Sequence, residues 1–260
     1  MPSWRRLVAC LEGRSAVADG AVLVWLLVAC ADLYELPHPH LVWGCDLTLY
    51  QQAVRSWFGG AAPYAHYQLA GPYVVETGAI LYPPITLVLL APSLLLPLPF
   101  WLLAPLVITG AVIYRLRPQP WAMLAIGFCF LYRPSYELIM AGNPVIWLMA
   151  ALATAIHWRP AAALVLLKPS LFPFALVGIR SRGWWLIVGL FALVSLALLP
   201  QTLDWLTAVI NGRGPRSGLL YSYHDVPLLS VPYIAWLGSN GQLEAVTTKL
   251  GIQRVLRRKT

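Results

Sequence analysis

Two residues of this chain have the type and setting to do chemistry, and both are charged. Asp46 lies in Gly44-Cys45-Asp46, directly ahead of Leu47–Phe58. Within that stretch Tyr50, Ala53, Val54 and Trp57 recur at helical spacing, and Gly59-Gly60 ends it. A carboxylate placed there can act as a general base if it is partly shielded from water and oriented by a neighbour. It can also cap the helix, and a capping carboxylate still has a second oxygen to offer a substrate. Lys168 stands in the middle of the apolar stretch Ala161–Ile179. A lysine there costs about 2.5–3.5 kcal/mol to insert into a bilayer, so it must face a cavity or a partner. Pro169 beside it weakens the helix. A fixed cation at such a break suits a lipid phosphate; the alternative is an internal ion pair with an acid such as Glu137.

Other positions carry weaker signals. Tyr82-Pro83-Pro84 holds the start of an apolar run rigid and places a tyrosine hydroxyl there. Gly142-Asn143-Pro144 sets an amide at a helix start, as a cap or as a hydrogen-bonding group. His224-Asp225 precedes the last apolar run, where the pair can contact phosphate or an acceptor, or only cap a loop. Arg213 and Arg216 lie in a Gly/Pro-rich loop and can bind phosphate or simply be solvated. His38, His40 and His66 have no ligand spacing. Cys10, Cys30, Cys45 and Cys129 form neither C-x-x-C nor Cys/His patterns, so neither a metal site nor a disulfide framework is expected.

The elements that must position these groups are membrane helices. Of 260 residues 59% are hydrophobic and 11% charged, with mean hydropathy +0.69; soluble domains carry about 25% charged residues. An all-α polytopic membrane protein follows, since helices satisfy their own backbone inside lipid. The apolar runs are Val17–Leu36, Gly78–Leu98, Phe100–Tyr114, Trp121–Leu131, Val145–His157, Ala161–Ile179, Trp184–Leu199 and Val226–Leu237. They give about eight spans. The short runs within 119–180 can instead be re-entrant half-helices, and the 22 prolines fit broken helices. The net charge of +8 gathers in short loops and tails. That points to topology and lipid headgroups, not nucleic acid. The positive-inside rule puts segment 1–16 and the basic tail 239–260 in the cytoplasm. It puts the loops 37–78 and 200–225 outside. The first loop is long and aromatic, the mark of a functional loop with structure of its own.

Taken in order, these features resemble glycosyltransferase family 87 of the GT-C superfamily, which includes polyprenol-phosphate-mannose-dependent mannosyltransferases. The matching residues are Asp46-Leu47-Thr48-Leu49-Tyr50, Gly60-Ala61-Ala62-Pro63-Tyr64 and Leu81-Tyr82-Pro83-Pro84 with Pro92. Gly142-Asn143 looks like the family's Gly-Gln/Asn step. Leu167-Lys168-Pro169, trailed by Arg180 and Arg182, looks like its Lys-Pro step. Tyr223-His224-Asp225-Val226-Pro227 matches loosely a polar motif ahead of a helix. The chain is shorter than the family's usual members, and what it lacks is C-terminal.

The resemblance implies a GT-C-like bundle and an inverting transfer of a hexose, mannose first, on the extracytoplasmic face. The donor is a polyprenyl-phosphate sugar and the acceptor a lipid or glycan. Asp46 takes the acceptor proton. Lys168, helped by His224, Arg213 and Arg216, holds the departing lipid phosphate, where a fixed cation counts most. Tyr50, Tyr64, Tyr82, Asn143 and Asp225 line the sugar and acceptor pocket. No cofactor is implied, and a lipid-linked donor needs no Gly-rich phosphate loop. Two other classes fit the composition: a non-catalytic module that binds polyprenyl lipid or a partner, and a lipid or solute transporter. The absence of an internal repeat weighs against the transporter.

Overall fold

The computed structural model describes residues 43–75, 78–214 and 221–239. Helix α1, Cys45–Phe58, starts from Gly44 in the left-handed region (φ 70°) and stops at Gly59. This is the helix expected from the spacing of Tyr50, Val54 and Trp57. A short turn of helix α2, His66–Leu69, and a two-residue strand β1, Tyr73–Val74, complete the first loop. Helix α3, Pro84–Leu90, begins on the Pro83-Pro84 step and runs into a 3-10 turn, Ala91–Leu95. Pro92 removes one helical donor there, so the expected span Gly78–Leu98 is not a single helix.

Helix α4, Leu98–Leu116, is followed by α5, Pro120–Leu131, α6, Arg133–Met140, and α7, Val145–Ala155. Most of the next segment is 3-10: Arg159–Leu167, then Pro169–Leu171, a turn of α-helix α8, Phe172–Ala175, and Leu176–Gly178. Pro160, Pro169 and Pro173 each lack an N–H, which breaks the i→i−4 ladder. The expected continuous span Ala161–Ile179 is therefore a train of short pieces, with Lys168 at one of the breaks. Helix α9, Arg182–Ala197, turns into α10, Leu199–Asn211. Residues 200–211 were expected to be loop and are helical. Strand β2, Gly212–Arg213, a 3-10 turn Tyr221–Asp225 and helix α11, Val226–Leu237, end the described chain.

Helix α7 is the centre. Nine of its eleven residues are buried, among them Val145, Ile146, Met149 and Ala153. Its alanines leave room for α4, α11 and the 3-10 segment 159–167 to pack around it. Gly142, also left-handed (φ 70°), lets the α6–α7 corner meet α1: a Cβ there would lie 3.2 Å from Leu47 Cβ.

The two loops meet as well. β1 pairs in parallel with β2, Tyr73 opposite Gly212 and Val74 opposite Arg213. Tyr73 donates its hydroxyl to Ala208 O at 3.0 Å, Asn211 donates to Gln68 O at 3.0 Å, and Trp205 donates to Leu81 O at 2.9 Å. This brings residues 68–74 and 81 against residues 205–213.

Among the described residues α4 alone is long and apolar enough to cross a membrane. There are up to three crossings if the pairs α6–α7, bent by 105°, and α9–α10, bent by 96°, each count as one. The run Val17–Leu36, segment 1–16 and residues 240–260 lie outside the described residues. The outward faces of α4 and α9 are apolar: Phe100, Leu103 and Val107 on one, Leu186, Leu190, Leu193 and Leu196 on the other, are all exposed. A water-soluble monomer rarely shows so much contiguous apolar surface.

Candidate active site

The site begins where α1 meets the end of α6. Three N–H groups at the start of α1 would have no partner within their own helix. They donate across the corner instead: Gly44 to Met140 O at 2.9 Å, Asp46 to Ala141 O at 3.0 Å and Leu47 to Ala141 O at 3.2 Å. Asp46 is therefore not the cap. The N-cap is Gly44, no side chain caps the helix, and the Asp46 carboxylate is left for other partners.

Its partner is Asn143, whose Nδ2 donates to Asp46 Oδ2 at 2.6 Å. The amide oxygen of Asn143 accepts from Val145 N at 3.0 Å, starting α7, and from the Tyr82 hydroxyl at 3.4 Å. Cap and side-chain ligand, the two expectations for Asn143, are thus one arrangement. Among the described residues the only donor near Asp46 Oδ1 is the Cys45 thiol, at the long distance of 3.9 Å. Asp46 is half-buried, and Oδ1 is the oxygen placed to accept a further proton.

Tyr82 carries the network onward. Lys168 Nζ lies 5.6 Å from the Tyr82 ring centroid, within reach of the ring's negative face. The same ammonium donates to Asp225 Oδ2 at 2.5 Å, and both residues are buried. Glu137, the acid considered for Lys168, pairs instead with Arg133 one helical turn away, at 2.8 Å. Thr86 donates to Leu167 O at 2.6 Å, and Ser170 and Ser222 share a hydrogen bond of 2.5 Å. These contacts clamp both sides of the break that holds Lys168.

Tyr50 meets the Tyr82 ring edge-on, with centroids 5.1 Å apart. Tyr64 is buried and donates to Tyr82 O at 2.8 Å, so it props Tyr82 from behind. His224 is half-buried, with Nδ1 3.4 Å from the Tyr132 hydroxyl, next in sequence to Asp225. Arg213 turns back on its own loop and donates to Ile210 O and Gly212 O. Arg216 lies outside the described residues. Asp46, Asn143, Tyr82, Lys168 and Asp225 are therefore brought together with Tyr50 and Tyr64 behind them, and no described contact joins Arg213 to the group.

Burial pushes the Asp46 carboxyl above the ordinary aspartate value. The Asn143 hydrogen bond and then the Lys168 ammonium pull it back, and the Asp225 carboxylate adds to the rise. Among the described residues no three His, Cys, Asp or Glu side chains gather closely enough to hold a metal ion.

Nothing in the local sequence marks Asn143 as the partner of Asp46, or Asp225 as the partner of Lys168. Both are short polar side chains next to helix starts, where capping is the ordinary expectation. Comparison with known protein families, with curated proteins and with solved structures finds no match to this chain.

Proposed function

We propose that the chain is an integral membrane glycosyltransferase of the GT-C type. It moves a hexose from a polyprenyl-phosphate donor to a lipid or glycan acceptor, with inversion, on the side that bears the two loops. The observation that carries this reading is the single network running from Asp46 through Asn143 and Tyr82 to Lys168. An inverting transfer needs a base for the acceptor hydroxyl and, across the sugar, a charge for the leaving phosphate. Asp46 Oδ1 accepts the hydroxyl proton as the acceptor oxygen bonds to the anomeric carbon. The bond from that carbon to the lipid phosphate breaks, and the phosphate leaves with the electron pair. Lys168 faces that developing charge. The apolar faces of α4 and α9 support a membrane setting, which a polyprenyl donor requires.

One observation favours a second reading. Asp225 already neutralises Lys168, so a phosphate must share the ammonium with a carboxylate. A non-catalytic module that binds the lipid donor without turning it over fits that pairing. The test is to supply the purified, liposome-reconstituted chain with polyprenyl-phosphate mannose and a lipid acceptor, then determine the anomeric configuration of the product. An inverted product supports transfer. Donor binding without product supports the second reading, and a retained configuration removes the one-step mechanism.

A further inference from the structure

A cavity of about 380 Å³ opens at the other end of α7. It is lined by Ile156 at the end of α7, by Phe174 of α8, and by Leu229 and Trp236 of α11. Arg159 and Arg180 stand among these walls. Helix α7 starts beside Asn143 and reaches the cavity at its other end, and α11 runs likewise from Asp225 to Trp236. At 1.5 Å per residue its outer walls Ile156 and Trp236 lie about 15–20 Å along their helices from Asn143 and Asp225, while Leu229 lies about one turn from Asp225. The cavity is not part of the Asp46–Lys168 site.

The chemistry of its lining is mixed in one particular way. The walls are aliphatic and aromatic, and the charge is all positive. Both arginines are exposed, and among the described residues neither lies within ion-pair distance of a carboxylate. Two guanidiniums without acidic partners among the described residues suit an anion with several oxygens, which each can grip bidentately. Apolar walls beside them call for a hydrocarbon chain joined to that anion. Leu176 and Val177 of the lining, and Trp185 hydrogen-bonded to the lining residue Ile179, are exposed and apolar, so the cavity mouth faces the same medium as the apolar faces of α4 and α9.

We propose that this cavity binds one anionic phospholipid of the bilayer, its phosphate on Arg159 and Arg180 and an acyl chain against Ile156, Phe174 and Trp236. The inference rests on the membrane part of the function proposed above, and not on glycosyl transfer. The lipid occupies the leaflet opposite the acidic site and braces the ends of α7 and α11, the two helices whose other ends hold Asn143 and Asp225.

The test uses the full chain purified in detergent. Native mass spectrometry measures binding of phosphatidylglycerol and of phosphatidylcholine with identical acyl chains. Phosphatidylglycerol binds more tightly, by about tenfold for one charge-assisted contact pair. In R159Q/R180Q the two lipids bind alike, and R159K/R180K keeps part of the preference. Both arginines are exposed, and unchanged melting of the lipid-free variants verifies that they fold. Equal binding of the two lipids by the wild type overturns the proposal. So does a preference that survives R159Q/R180Q, or displacement of phosphatidylglycerol by an equal concentration of inorganic phosphate, which would mark a simple anion site. D46N, at the other end, keeps the preference. A wild type that shows the preference but transfers no sugar contradicts the transferase reading and leaves this inference standing.

Discussion

The Asn143 side chain donates to the Asp46 carboxylate at 2.6 Å, and so ties the first turn of α1 to the start of α7. This bond both orients the carboxylate and favours its charged form. Without it, burial and the nearby Asp225 would hold Asp46 still further above the ordinary aspartate value.

A pH profile follows. A general base works when deprotonated, so the acid limb of the transfer rate should lie above the value of an ordinary aspartate. In Asn143→Ala the limb moves further up and the rate at neutral pH falls. The sign for stability is the reverse. A carboxyl whose folded pKa is raised adds stability that is fully present below its unfolded pKa and is lost as pH rises through its folded pKa. Thermal melts at a series of pH values should show that loss in wild type and lack it in Asp46→Asn. A limb that stays put in Asn143→Ala would mean that Asp46 is not the titrating base.

Lys168 and Asp225 are buried together, and removing either takes from the other an opposite charge at hydrogen-bond distance. Lys168→Met or Asp225→Leu should each destabilise the chain by about 3–5 kcal/mol, while the double change should cost much less. Denaturation in detergent measures both. Equal loss in the single and double variants would show that the pair does not act as a unit.

Gly142 is needed twice, for its left-handed φ of 70° and for the close approach of Leu47. Gly142→Ala should lower stability by about 1–2 kcal/mol from backbone strain alone and should lower transfer by pushing Asp46 off Asn143. Gly110, inside α4 with nothing near its absent Cβ, is the control. Gly110→Ala should be neutral or stabilising, by about 0.5–1 kcal/mol. Similar melts for the two variants would contradict the corner packing described here.

Part of this was legible in the residues. The helix after Asp46 was, because Tyr50, Val54 and Trp57 mark a buried face and glycines bracket it. So was α11, whose bounds Val226–Leu237 match the apolar run. The segment around Lys168 was not, because hydropathy reports that Ala161–Ile179 is buried but not whether its backbone is α or 3-10. The three prolines were the available signal. Residues 200–211 read as loop because Gln201, Asp204 and Asn211 dilute the apolar pattern; α10 is amphipathic and lies bent from α9. The partner of Lys168 was hidden for a different reason. Nothing local distinguishes Asp225 from Glu137, and only the fold of the 3-10 turn 221–225 against 169–171 selects between them.

The most direct measurement is the single-turnover rate of hexose transfer from a polyprenyl-phosphate donor by the reconstituted chain, wild type against Asp46→Asn. The substitution keeps the shape of the side chain and removes the base. A fall of about 10²–10⁴-fold, with donor binding unchanged, is the expected result for a general base. Equal rates in the two proteins, or a wild type that binds donor and transfers nothing, would contradict the account.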